Sequence, residues 1–404
     1  MISHPKIFVA LPVMDEIDML QLCLDCIENQ SYKNIHIVIC VNQPDECWNI
    51  PEKIHVCNNN AEILDSLNKK DKGIYTIINK SSIGSGWEGN KKGVGWARKT
   101  VMDHISEISN NDDIILSLDA DTIFNKEYFS SIENIFAQNT NAVALSNPYY
   151  HKLIKSDAED KAILRYEIYM RNYAINMLII NSPYAFTALG SSISLPVSAY
   201  KAIGGLTPKL SGEDFYFLQK LRKYGKIIVY NNEKVFPAAR FSDRVFFGTG
   251  PAMIKGNMGN WESYPVYHYS LFENIKKTYD CFPELYTNDL KTPMTEFLQT
   301  QFSSKDIWLK LRNNNKDAEH FVRACHEKVD GLRILQYLKT EQYQLSKSDE
   351  KCLIDNINNV FSHIINYENI DELNFNKCSI DLLNNIRNYL VEVEELLQQK
   401  RKII

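Results

Sequence analysis

The sequence predicts an α/β protein: a mostly parallel sheet flanked by helices, extended at its C-terminal end by a helical region. Three observations predict it. Short apolar runs at 6–13, 35–41 and 114–118 have the length and branched content of strands buried on both faces. Helical spacing separates the first two, with Leu20, Leu22, Leu24 and Ile27 on one stripe. From about residue 270 onward, strand-like runs give way to helical segments.

Composition narrows the function classes. The 404 residues suffice for two or three domains, and 44% hydrophobic with 24% charged residues is a globular balance. A formal net charge of −5 gives no support for a nucleic-acid binder. Nine cysteines at irregular spacing, with no signal peptide ahead of them, read as reduced thiols of a cytoplasmic protein. Cys23 and Cys26 form a lone Cys-x-x-Cys in a helical pattern, where core packing is favoured over zinc. No apolar run approaches the ~20 residues that span a bilayer, which leaves a soluble protein or one peripheral to the inner face of a membrane.

The first strand, 6–13, ends in Pro12 and Val13 and is followed by Asp15 and Glu16, then by a helix over 19–28. A second strand, 35–41, closes on the turn cluster Asn42-Gln43-Pro44-Asp45. Strand, helix, strand is a βαβ unit and therefore a parallel pair. A short strand is expected at 55–58, a helix at 61–69 and a third strand at 74–78. The glycine-rich stretch 81–95 then runs into a helix over 96–108 and fits neither common phosphate-loop pattern. Gly93 and Gly95 let backbone approach a ligand, with Lys91, Lys92 and Arg98 as nearby positive charge. A solvated loop explains the two lysines equally well. These βα steps describe a doubly wound, nucleotide-binding half.

The strand 114–118 leads into Asp119-Ala120-Asp121. Side chains two residues apart on a strand point the same way, so Asp119 and Asp121 can converge. Two hard oxygen donors at a strand's carboxyl end suit Mg²⁺ or Mn²⁺, completed by phosphate oxygens and water. Taken alone, the same residues read as a solvated Asp-rich turn.

Beyond it the pattern gives a helix at 124–136, a strand at 142–145 and a long aromatic-rich helix at 157–180. The strand-like run 186–195 has a small-residue centre, Gly190-Ser191-Ser192, that permits close approach of another group. A short helix ends at Gly204-Gly205, and Ser211-Gly212-Glu213-Asp214 opens a helix over 215–224. Acidic residues are ordinary at a helix start, which by itself explains Glu213 and Asp214. A strand at 227–230 follows. The stretch 240–256 reads as a glycine-punctuated loop whose Arg240, Arg244 and Lys255 suit a lid over an anionic group. His268, in the aromatic run 264–269, reads first as a core histidine, with metal ligation as the alternative. Helices are expected at 303–312, 316–338, 348–365 and 379–400. Leu382, Leu383, Ile386, Leu390, Val393 and Leu397 stripe the last of them, so it packs on its own body, another subunit or a membrane surface.

Taken together, these motifs resemble family 2 glycosyltransferases of the GT-A fold, inverting enzymes that use nucleotide-sugar donors. Leu11-Pro12-Val13-Met14-Asp15-Glu16 is similar to the family's Pro-x-x-Asn-Glu opening, with Asp15 for Asn. Gly93-Val94-Gly95-Trp96-Ala97-Arg98-Lys99 is similar to its Gly-x-x-x-Ala-Arg-Asn helix start, with Lys99 for Asn. Asp119-Ala120-Asp121 matches its Asp-x-Asp, and Gly204-Gly205-Leu206 followed by Gly212-Glu213-Asp214 matches its Gly-Gly-Phe and Glu-Asp pattern. The resemblance covers about residues 5–230. Two departures matter: Asn42-Gln43-Pro44-Asp45 replaces the Asp-Asp-Gly-Ser that contacts the base, and Ser242-Asp243-Arg244-Val245 replaces the Gln-x-x-Arg-Trp of membrane-embedded synthases.

The resemblance implies a GT-A domain over 1–270, with a nucleotide-binding half (1–121) and an acceptor half with the lid loop (122–270), and a helical region over 271–404. It implies donor contacts from Pro12, Val13, Glu16, Asn42, Gly93, Arg98, Asp119, Ala120, Arg244 and Lys255. Mn²⁺ or Mg²⁺ would sit on Asp121 and Asp119, with His268 as a further candidate ligand. Asp214 becomes the general base, with Glu213 orienting or binding acceptor. Partners are then a nucleotide-diphosphate sugar and a glycan, lipid-linked or protein acceptor in glycan biosynthesis, with room for peripheral membrane contact and a homo-oligomer. A competing reading from another class is a non-catalytic nucleotide-sugar or glycan-binding module whose helical tail docks a partner. A sugar-nucleotide pyrophosphorylase ranks last, for want of a glycine-arginine loop at the first strand.

Overall fold

A computed structural model describes residues 4–71, 73–210, 212–242, 248–368 and 370–403. The chain divides into two compact units: Met1–Ile163 with Phe186–Met258, and Leu164–Ala185 with Gly259–Ile404. No described helix is long and apolar enough to cross a membrane.

Among the described residues the first unit has nine strands: β1 Ile7–Val13, β2 Ile35–Asn42, β3 Tyr75–Lys80, β4 Ile114–Ser117, β5 Ile123–Phe124, β6 Ala142–Ser146, β7 Ile193–Pro196, β8 Lys226–Ile228 and β9 Val235–Phe236. Seven form one sheet in the order β3-β2-β1-β4-β7-β6-β8, and β5 pairs β9 separately. β1 runs parallel to β2 and β4, and β2 parallel to β3. The antiparallel β7 is inserted between β4 and β6. Every residue of β1 is buried, as expected of a strand covered on both faces. The helices are α1 Leu20–Glu28, α2 Ile54–Leu67, α3 Val94–Ile108, α4 Tyr128–Gln138, α5 Asp157–Ile179, α6 Val197–Ala202, α7 Glu213–Tyr224 and α8 Thr249–Asn257.

This topology fixes where chemistry can sit. β1, β2 and β4 are parallel, so the residues after Val13, Asn42 and Ser117 leave the sheet at one edge. β7 is antiparallel to β4 with Ile193 opposite Ser117, so the residues before β7 arrive at that same edge.

The second unit is helical. It takes in the later turns of α5 and α9 Tyr269–Asp280, α10 Thr295–Phe302, α11 Leu309–Asn314, α12 Ala318–Lys328, α13 Gly331–Leu345, α14 Asp349–Asn359 and α15 Ile380–Ile403. Tyr166, Tyr169 and Tyr173 of α5 meet Tyr264, Tyr267 and Phe272 ring to ring. That aromatic cluster explains why the helical unit reaches back to 164–185 and begins at 259, not at the expected 271. Buried ion pairs add to it: Glu167 bonds Arg171 and Arg387, and Arg171 bonds Glu394.

Several expected elements differ. Residues 55–58 lie in α2, because a polar run of three asparagines continues the helix that buries Val56, Asn60, Ile63 and Leu64. Of 186–195 only the last three residues are strand, the start of β7. Half of the expected loop 240–256 is α8, opened by Gly248 at φ +117°. Residues 303–308 are not helical: Ser303, at φ +48°, closes α10 in the left-handed region. The long pattern 316–338 is two helices, because the Asp330 side chain caps a new start.

Candidate active site

Arg98 organises the sheet edge. It lies in the first turns of α3, which starts after Gly93 at φ +90° and packs on β1 and β2. Its side chain is 2% exposed, and every nitrogen is engaged. Nη2 donates to Asp119 Oδ1 at 2.8 Å and Nε to Glu213 Oε1 at 3.2 Å. Nη1 donates to Ser117 Oγ at 2.5 Å and to the Gly190 carbonyl at 3.1 Å. Burial alone would lower its proton affinity, but the Asp119 and Glu213 carboxylates outweigh that and hold it charged.

One guanidinium therefore joins the segment after β4 to the start of α7. A Cβ at Gly190 would run into it, so the small-residue centre expected at 190–192 has a definite purpose. Gly190→Ala should cost about 1–3 kcal/mol by overpacking, read from denaturant unfolding. Unchanged stability would contradict the close approach.

Asp119 and Asp121 do not stand on a strand, as the spacing argument supposed. β4 ends at Ser117, and the Thr122 amide bonds the Asp119 carbonyl in a turn. The two carboxylates take different partners. Asp121 Oδ2 accepts from Arg240 Nη2 at 3.1 Å, and the same nitrogen lies 2.6 Å from both oxygens of Glu16. Burial pushes the thiol of Cys23 on α1 up, followed by Cys26, Asp121, Asp119 and Glu16, and that thiol also bonds the Asp119 carbonyl.

Glu213 and Asp214 occupy the first turn of α7, after Gly212 at φ +67°. The Phe215 amide donates to Asp214 Oδ1 at 2.7 Å. Asp214 is half-buried, and its carboxyl is pushed up to about 7 by desolvation and then by Glu213, with Arg98 opposing and Asp119 adding to the shift.

The other expected residues divide. Pro12, Val13 and Ala120 are buried, and the Val13 carbonyl accepts from the Asn42 amide. Asn42 also accepts from the Trp87 indole at 3.0 Å and bonds Asn60, so it acts as a strut between loops. Lys92 pairs with Glu46 and Lys91 lies over Trp96, which is the solvated-surface alternative. Lys255 is exposed in the last turn of α8 rather than on a loop. Arg244 lies outside the described residues.

His268 is corrected as a metal candidate. It caps α9 in the helical unit, with Nδ1 engaged by Ser270 and Nε2 facing Lys347 Nζ at 3.1 Å. The same nitrogen lies 3.3 Å from Asp355 Oδ2, so both ring nitrogens are engaged within the helical unit, as the core-histidine reading expects.

Sequence reasoning missed Ser117 and named Arg240 only as a lid cation. Ser117 is the one polar residue of its apolar run, which was a usable signal. Arg240 was grouped with the lid cations, and nothing local to it pointed to Glu16, 224 positions away.

A hard divalent cation fits this donor set. Among the described residues no three His, Cys, Asp or Glu groups are gathered for a metal. Two carboxylates are what such a cation takes when substrate phosphates and water complete its shell. Here Arg98 pairs with Asp119 and Glu213, and Arg240 with Glu16 and Asp121.

No family model and no curated protein matches the chain. Among solved structures it is similar to S. aureus TarS 1-349 in complex with UDP-GlcNAc, at 12% identity over 98% of this chain and 91% of that one, with a TM-score of 0.41. It is also similar to the mannosyltransferase PcManGT from Pyrobaculum calidifontis in complex with GDP-Man and Mn²⁺, at 13% identity, 97% and 86% coverage and a TM-score of 0.38.

Proposed function

We propose that the chain is a metal-dependent, family 2-like inverting glycosyltransferase that moves a sugar from a nucleotide-diphosphate donor to an acceptor hydroxyl. The observation that carries this reading is the Arg98 bridge between Asp119 and Glu213, because it brings the Asp-x-Asp turn and the α7 start to one edge of the sheet. When bound at Asp121 and Asp119, Mn²⁺ or Mg²⁺ would offset the charge gathering on the leaving diphosphate.

The chain's own groups do the rest. Asp214 accepts the proton of the acceptor hydroxyl as its oxygen attacks the anomeric carbon. The bond from that carbon to the diphosphate oxygen breaks on the opposite face, and the anomeric configuration inverts. Arg98 holds Glu213 and Asp119 in register, so Glu213 orients the acceptor side. Acceptors in keeping with this chemistry are glycan, lipid-linked or protein hydroxyls.

A thermal-shift panel of nucleotide sugars with and without Mn²⁺ tests the reading. One donor should raise the apparent stability in a Mn²⁺-dependent way, by about 2.7 kcal/mol at a hundredfold excess over Kd. Failure of every donor would overturn it. Binding without donor hydrolysis or transfer would favour the non-catalytic module.

A further inference from the structure

Glu16 follows β1 and is 7% exposed. A single nitrogen, Arg240 Nη2, lies 2.6 Å from both its oxygens and 3.1 Å from Asp121 Oδ2. A positive charge thus stands between two carboxylates, one of which, Asp121, is assigned to the cation. Two further features make it a movable charge. Arg240 sits in an irregular segment after β9, held by neither helix nor strand. Its Nε is buried with no hydrogen-bond partner among the described residues, so the guanidinium is not fully satisfied where it rests.

We infer that Arg240 is the resident counter-ion of the cation site. It neutralises Asp121 while no metal is there, yields that carboxylate when a divalent cation arrives, and stays tethered by Glu16 with a donor face turned to the incoming diphosphate. This rests on the transferase reading and deepens it. Metal and arginine compete for Asp121, whereas metal and nucleotide reinforce one another, since the displaced guanidinium gains a phosphate partner.

Free Mn²⁺ measured by electron paramagnetic resonance tests this without any turnover. Removing the competitor in Arg240→Gln should tighten Mn²⁺ binding in the absence of nucleotide by about fivefold or more. Adding UDP or GDP should then tighten Mn²⁺ less in that variant than in the wild-type chain. Arg240→Lys keeps a single charged nitrogen on a shorter side chain, so it should hold Asp121 less closely than Arg240 Nη2 does and shift Mn²⁺ affinity the same way by less. It carries the test should the Gln variant fail to fold. Unchanged or weakened Mn²⁺ affinity in whichever variant folds overturns the inference. If the wild-type chain binds no Mn²⁺ with or without UDP or GDP, the transferase reading itself falls.

Discussion

Asp214→Asn should abolish sugar transfer while leaving the binding of donor and Mn²⁺ nearly unchanged. The amide keeps the shape and can still accept from the Phe215 amide, but it cannot take a proton. Loss of a positioned general base is worth about 10²–10⁴-fold, read as kcat at saturating donor. A second signature comes from the pH profile. Burial and then Glu213 push Asp214 up to about 7. A base acts only when unprotonated, so kcat/KM should climb with pH toward about 7 and level above it. Surviving transfer in the variant, or a flat profile between pH 5 and 7, places the base elsewhere.

Breaking the ion network of the helical unit should have the largest effect on stability. Glu167 Oε2 accepts from Arg387 at 3.1 Å, Glu167 Oε1 from Arg171 Nε at 2.9 Å, and Glu394 Oε2 from Arg171 Nη1 at 2.6 Å. All four side chains are buried. The charges balance, yet burial still pushes the Glu394 carboxyl up, with Arg171 opposing. Arg387→Met leaves Glu167 and Glu394 sharing one guanidinium. Removing one partner of such a set costs about 3–5 kcal/mol, because a buried charge is left uncompensated. Adding Glu167→Gln restores the balance, so the double variant should be more stable than the sum of the single effects. Denaturant unfolding followed in the helical unit measures both. A cost below about 1 kcal/mol for Arg387→Met would mean the network is looser than its geometry.

Local signals carried the sheet unit well. The strands at β1, β2 and β4 are legible because burial on both faces leaves continuous apolar runs, and turn residues mark their ends. Residues 55–58 were misread because a few residues of alternating character cannot outweigh the helix that tertiary packing extends through them. The break inside 316–338 was legible but passed over: Asp330-Gly331 is a turn signal, and Asp330 is a residue type that caps a new helix. In the candidate site, Asp119, Glu213 and Arg98 were each visible as motif members, but their joining is a matter of topology. The antiparallel β7 carries Gly190 to the end of β4, and that places a carbonyl and a missing Cβ against the guanidinium. The tie between Glu16 and Arg240 spans most of the sheet unit and leaves no local trace. Asn42, expected to contact the donor, is also bonded to Val13 and Trp87, ties that its place after β2 did not foretell.

The account turns on carboxylates far apart in sequence serving one reaction at the sheet edge. A crystal structure with UDP or GDP and Mn²⁺, with the metal located by its anomalous signal, tests this most directly. The predicted result is a peak bonded to Asp121 or Asp119 and to the diphosphate, with Asp214 facing the open side of the same space. A peak remote from both aspartates, or a diphosphate bound with Asp214 sealed away from it, would contradict the account.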